Sequence, residues 1–196
     1  MDADSGDTRA RLVAAAVDLF TRHSFAGTSL QMIADELGFT KAAIYYHFRT
    51  REQLLCAVLE PILEQLRDVI ETAEELRSAA ARAEHMVSGY AAVAAGNRAL
   101  VSVLAGDPGV IEELRRRPDW AELIDRQMAL LADAVPGPAG LVKAAVVFSG
   151  IAGAAAPTLG AMDVDALEHH LADAGRRTLG PRGPQAAATR SAPGRT

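Results

Sequence analysis

Residues 40–48 read TKAAIYYHF, a stretch that gathers Lys41, Tyr45, Tyr46 and His47 with no acid among them. Lysine brings N–H donors on a cation, tyrosine a hydroxyl that donates or accepts, and histidine a ring nitrogen that does either. Such a set suits hydrogen bonding to phosphate oxygens and base edges. Lys41 can reach a guanine edge or a phosphate. A tyrosine hydroxyl donates to a phosphate oxygen while its ring packs on a sugar or a thymine methyl, and His47 can do likewise. Ala42 and Ala43 are small enough to let a short helix lie deep in a major groove. The chemistry implied is recognition, not bond breaking.

Other chemistry-bearing residues carry less. Asp165, His169 and Asp173 fall on one helical face with Glu168 beside them, but a metal site draws three or four ligands, usually from more than one element. They read as a solvated face, and no metal is expected. His23 and His85 read as structural. The single cysteine, Cys56, excludes an internal disulfide framework and reads as a small buried hydrophobe. No nucleophile elbow, phosphate loop or metal-binding motif is present, so neither an enzyme nor a cofactor is predicted.

The elements that must position residues 40–48 follow from pattern and composition. The chain has 196 residues, 49% hydrophobic and only 5% aromatic. Aliphatic side chains and alanine therefore fill the core, which favours packed helices, and no useful strand alternation occurs. An all-α fold is predicted. The N-terminus MDADSGDTRA lacks the character of a secretory signal. The most apolar run, from Ala144, is too short and too rich in Ala and Gly to span a bilayer. A cytoplasmic protein with no membrane partner is expected.

The net charge of −5 argues against a nucleic-acid partner until it is divided. Residues 1–51 balance six Lys/Arg against six Asp/Glu, residues 52–173 hold nine against nineteen, and residues 174–196 hold five arginines and no acid. Residues 39–51 contain Lys41, Arg49 and Arg51 without an acid. Screening over roughly 8–10 Å hides the acidic body from a ligand docked there.

Along the chain, residues 1–7 read as disordered and a first helix begins near Thr8. Thr28 starts a second helix as a capping box with Gln31, and Gly38 stops it. Thr40 caps a third, short helix whose inner residues are Ile44 and Phe48. Thr50 with Gln53 opens a long helix that Pro61 should kink. Further helices are expected at about 79–95, 97–105, 109–117, 119–134, 138–156 and 163–178. Asp119 with Glu122 looks like another capping box, and Trp120, Leu123, Ile124, Met128 and Leu131 share a face behind it. The Pro/Gly/Ala/Arg-rich residues 179–196 read as a disordered basic tail.

Helices at 29–37 and 41–48 joined by a glycine-containing turn describe a helix-turn-helix. FAGTSLQMIADELGFTKAAIYYHFRTREQLL, residues 25–55, resembles the N-terminal region of the TetR family of transcriptional regulators. The matching positions are Thr28, Ile33-Ala34, Gly38-Phe39-Thr40, Tyr45-Tyr46-His47-Phe48, Arg51 and Leu54-Leu55. Arg51 stands where lysine is commoner, and Gly27 directly precedes Thr28. The resemblance covers roughly residues 8–60 and implies a DNA-binding domain over residues 8–52. It assigns base-edge reading to Lys41, Ala43 and Tyr45 and backbone contact to Thr28, Gln31, Tyr46, His47 and Arg51, with Thr40 and Ala42 in the same interface.

The resemblance further implies that residues 53–178 hold a small-molecule effector and form a homodimer on a palindromic operator in double-stranded DNA. Candidate pocket residues are Met86, Tyr90, Leu104, Trp120, Met128 and Phe148, and an apolar effector is expected. Candidate interface residues are Val142, Ala145, Val146, Ser149, Gly150 and Gly153, a small-residue stripe, with Leu167 and Leu171 on the last helix. The function expected is an effector-released repressor; the alternatives are an architectural DNA-binding protein or an activator without an effector.

Overall fold

The structure, a computed structural model, describes residues 3–101, 107–155 and 162–180. Among them every regular element is helical, as the composition predicts. Helix α1 spans Ala3–His23 and so begins ahead of its expected start, making residues 3–7 helical where disorder is predicted above. No proline interrupts that stretch. Leu12, Ala16, Leu19 and Phe20, at helical spacing, are buried, and Ser24 ends the helix with a φ of 63°.

Helix α2 covers Leu30–Glu36, α3 Lys41–His47 and α4 Arg51–Glu74. The cap of α2 is Ser29, whose hydroxyl accepts from the Met32 amide at 3.2 Å. This corrects the capping box expected at Thr28, whose hydroxyl points inward. Thr40 caps α3 as expected, accepting from the Ala43 amide at 3.2 Å. The turn between α2 and α3 uses Gly38 at φ +67°, a left-handed backbone that a side chain would strain. At the head of α4, Thr50 accepts from the Gln53 amide, and the Gln53 side chain accepts from the Arg49 amide at 2.9 Å. Pro61 lies inside α4, which continues unbroken to Glu74.

The larger body consists of α5 (Ala79–Gly96), α6 (Pro108–Arg115), α7 (Pro118–Ala132), α8 (Pro138–Ala154) and α9 (Val164–Leu179). Helix α5 is its hub, packing against α4, α7, α8 and α9. The approach of α9 is close because Gly175 has no side chain: a Cβ there would lie 2.7 Å from Val87 Cγ1. Helix α7 starts one residue before the predicted Asp119, with Arg117 at the cap and no side-chain cap bond. Asp119 instead accepts from the Arg117 guanidinium at 3.1 Å, which corrects the capping box expected at Asp119. Only residues 97–101 of the helix expected at 97–105 are described; Leu104, Ala156, Pro157 and the tail from residue 181 lie outside the described residues. Among those described, no helix is long and apolar enough to cross a membrane.

Candidate nucleic-acid interface

Helix α3 is held from beneath by two side chains. Ile44 is fully buried and Phe48 nearly so, and their four-residue spacing fixes which way the remaining faces point. Lys41 and Ala42 are exposed and Ala43 half-buried. Tyr45 keeps 43% of its surface in water and Tyr46 79%. His47, half-buried, meets the Tyr46 ring edge-on at 5.0 Å, and the Lys41 ammonium lies 5.6 Å from the centre of the Tyr45 ring. Among the described residues neither Lys41 nor Arg49 takes part in an ion pair. The result is a small cationic, aromatic surface on a rigid base.

Two expected backbone contacts do not belong to it. Thr28 is buried, and its hydroxyl lies 2.8 Å from the Ser24 carbonyl and 3.2 Å from that of Leu19. No phosphate can reach it. Arg51 turns away from α3: its Nη1 donates to the carbonyls of Phe25 at 2.9 Å, Ala26 at 3.1 Å and Thr28 at 3.3 Å. Its guanidinium also lies 4.2 Å from the centre of the Phe25 ring. Arg51 therefore fastens the α1–α2 corner to α4, and only Lys41 and Arg49 of the three expected cations face outward. Gln31 is exposed as expected, with its amide on the Asp35 carboxylate at 2.7 Å.

The same corner has a second fastening that sequence reasoning missed. Asp107 caps α6 by accepting from the Gly109 amide at 2.9 Å, and its other oxygen accepts from the Phe25 amide at 2.7 Å. One buried carboxylate thus joins the helix-turn-helix corner to the larger body. The Asp-Pro pair signalled a helix start, but nothing local signals a partner 82 positions away. Cys56 is half-buried, not buried, and its Sγ accepts from Arg117 Nη1 at 2.9 Å.

Residues 12–58 match the family model described as bacterial regulatory proteins, tetR family. That span runs from α1 into α4 and contains the whole outward face of α3. Over those residues the chain carries the N-terminal region of the TetR family. It is similar to the HTH-type transcriptional regulator RutR of Escherichia coli strain K12, 30% identical over 126 residues that cover 62% of this chain and 58% of RutR. It spans between 24% and 58% of the length of the curated relatives it matches. A TetR-family member from Streptomyces coelicolor A3 shares the fold at a TM-score of 0.66 and 26% identity, over 86% of this chain and 89% of that one. Bacillus subtilis FadR, solved in complex with stearoyl-CoA, matches at a TM-score of 0.62 and 15% identity, over 84% and 96% of the two chains.

The expectations that the TetR resemblance placed on the larger body fare unevenly. Met86, Tyr90 and Trp120 are buried and Met128 and Phe148 half-buried. Tyr90 and Phe148 stack at 5.5 Å with rings 8° from parallel, and burial pushes the Tyr90 phenol well above its ordinary range. Two concavities formed by described residues lie elsewhere, one of about 560 Å³ beside Glu74, Arg126 and Leu141, one of about 480 Å³ between Ala83, Val87 and Arg176. Neither is lined by Met86, Tyr90, Trp120, Met128 or Phe148, the described residues of the predicted pocket. On α8, Val142, Ala145, Val146, Ser149, Gly150 and Gly153 are all exposed, and Leu141 extends the stripe. Leu167 and Leu171 are buried within the protomer, which corrects their assignment to an interface. The apolar stripe of α9 is taken up by its own bundle, against α5 and α8.

Proposed function

We propose that this chain is a sequence-specific DNA-binding transcriptional repressor of the TetR family. It acts in the cytoplasm as a homodimer on a palindromic operator and is released by a small, apolar effector. The observation that carries the reading is the outward face of α3, where Tyr46 stands 79% exposed and Lys41, against the Tyr45 ring, has no ion-pair partner among the described residues. A large aromatic so exposed gains nothing from the fold, whereas in a groove its ring and hydroxyl both find partners. The exposed stripe on α8 supports the dimer, which would present two copies of α3 about 34–36 Å apart, one DNA turn. The effector reading rests on the family and on the capacity of the fold to hold a ligand, as FadR does with stearoyl-CoA. Release requires that the effector bind the two conformations with different affinity. The path we favour runs from the larger body through α4, with Pro61 in its middle, and through the Asp107–Phe25 contact.

Selection of duplexes from a random pool tests this. The expected outcome is one two-fold symmetric sequence class, with Tyr45→Ala and Tyr46→Ala each lowering affinity for it by roughly 10- to 100-fold at constant salt while helix content is unchanged. A pool that yields no preferred sequence would favour an architectural binder and overturn the proposal.

A further inference from the structure

Gln127 is fully buried on the inner face of α7, in line with Trp120, Leu123, Leu130 and Leu131. The sequence reading assigned that face to Ile124 and Met128; both are half-buried, and the glutamine occupies the interior instead. Among the described residues neither Nε2 nor Oε1 of Gln127 has a hydrogen-bond partner. A primary amide carries two donors and an acceptor with two lone pairs, and water satisfies them all in the unfolded chain. Leaving them unmade inside an apolar bundle opposes folding. Native proteins seldom keep such a group without a use for it, an unbound ligand being one.

We propose that Gln127 is the polar anchor for the effector of this protein, and that the ligand is an uncharged, largely apolar molecule bearing one amide-like group, a donor directly beside an acceptor, as in a lactam or a primary carboxamide. This rests on the effector reading above and gives it a chemistry. The donor–acceptor pair follows from the side chain, because a ligand with an acceptor alone would leave Oε1 stranded. The absence of charge follows from the surroundings. Among the described residues the other buried polar or charged side chains are Thr28 and Asp107, both committed to the helix-turn-helix corner, and the neutral Tyr90 phenol, which donates to the Phe148 carbonyl. A charged ligand at Gln127 would be desolvated with nothing to neutralise it. The unmet amide also supplies the differential affinity that release requires. The resting packing of α7 against α4 and α5 strands the group, so a conformation that admits the ligand and satisfies Gln127 is favoured only when ligand is present.

The test uses the full chain and a matched pair of probes, an alkyl-substituted δ-lactam and the δ-lactone of the same shape, which keeps the acceptor and lacks the donor. Calorimetry should show the lactam binding at least about tenfold more tightly than the lactone, and Gln127→Leu should abolish that preference. Without probe, Gln127→Leu should raise the melting temperature by about 2–4 °C, because it removes the stranded group. Equal binding of the two probes, binding of neither, or a lower melting temperature for unliganded Gln127→Leu would each overturn the assignment. Operator release is read separately. A lactam that binds through Gln127 yet leaves DNA bound would sink the effector reading while this site stands, and release by a compound indifferent to Gln127→Leu would do the reverse.

Discussion

A guanidinium is planar and delocalised, and Arg51 brings one nitrogen of that plane, Nη1, within reach of three carbonyls of the α1–α2 corner while the plane lies on the Phe25 ring. Those carbonyls belong to the corner; that of Phe25 also accepts from the Thr28 amide at 3.3 Å, and the arginine adds a charged donor to all three. Arg51→Ala should cost about 2 kcal/mol of stability, the range for hydrogen bonds to a charged group, read as a lower urea midpoint. Arg51→Lys should recover only part of it, since an ammonium can donate to several carbonyls but cannot stack on the Phe25 ring. Full recovery by lysine would mean that charge alone matters there. Tyr90 offers a second check at this scale. Its phenol is buried and held above its ordinary value near 10. Below about pH 10 both folded and unfolded tyrosine are neutral, and the stabilisation from burying the neutral ring is fully present. As the pH rises beyond that, the unfolded chain ionises first, so stability falls by up to about 1.4 kcal/mol per pH unit until the folded group titrates. Tyr90→Phe should flatten this decline between pH 10 and 11 in urea titrations; an unchanged slope would place the effect in other groups.

Between elements, the informative contact is the one from Asp107 to the Phe25 amide at 2.7 Å. It ties the cap of α6 to the corner that Arg51 ties to α4, so the helix-turn-helix unit is held from two sides of the larger body. Asp107→Ala removes both the cap and the tie. A lost cap costs about 1 kcal/mol, and the Phe25 amide, left without its acceptor, adds about 1–3 kcal/mol more. Asp107→Asn keeps an acceptor at lower strength and should fall between. If this contact carries effector binding to α3, Asp107→Asn should also shrink the effector-induced loss of operator affinity, read as the ratio of affinities with and without effector. An unchanged ratio would leave α4 as the sole path. The contrast between these contacts and α3 explains what could be read beforehand. The cap at Thr40, the turn at Gly38 and the Ile44–Phe48 anchor are local patterns, each decided within a few residues. Besides local bonds to Ser24 and Gly109, Thr28 and Asp107 act on groups 9 and 82 positions away, and Arg51 on one 26 away; a sequence shows that a side chain can donate or accept without showing what it meets.

For the molecule as a whole, the question left open by pattern alone is which apolar faces belong inside. Helical spacing finds the stripes on both α8 and α9 and cannot say whether a stripe meets its own bundle or a second copy. Burial separates them: Leu167 and Leu171 are covered, while Leu141, Val142 and Val146 remain 62%, 64% and 54% exposed. Three large aliphatic side chains in a row beside Ser149, Gly150 and Gly153 form a contiguous apolar surface of the kind that marks an interaction site, and the small residues let a partner helix approach closely. A monomer also carries a small cationic patch at Lys41 and Arg49, with Arg9 and Arg11 on the Phe48 and Phe39 rings, on a chain of net charge −5. Two such patches fixed at one DNA turn convert the second half-site into an intramolecular contact, which raises affinity by about 10²- to 10⁴-fold without any new residue touching DNA. If α8 forms the proposed dimer interface, Val146→Asp would set two like charges against each other across its two-fold axis and bury them without partners. Sedimentation should then report a monomer with unchanged helix content. Affinity for the full operator should fall by at least about 100-fold while affinity for a single half-site holds. A dimer that survives both this change and Val142→Asp would move the interface away from α8, and a half-site affinity that falls along with the full-site affinity would mean that the substitution had reached α3 through the fold.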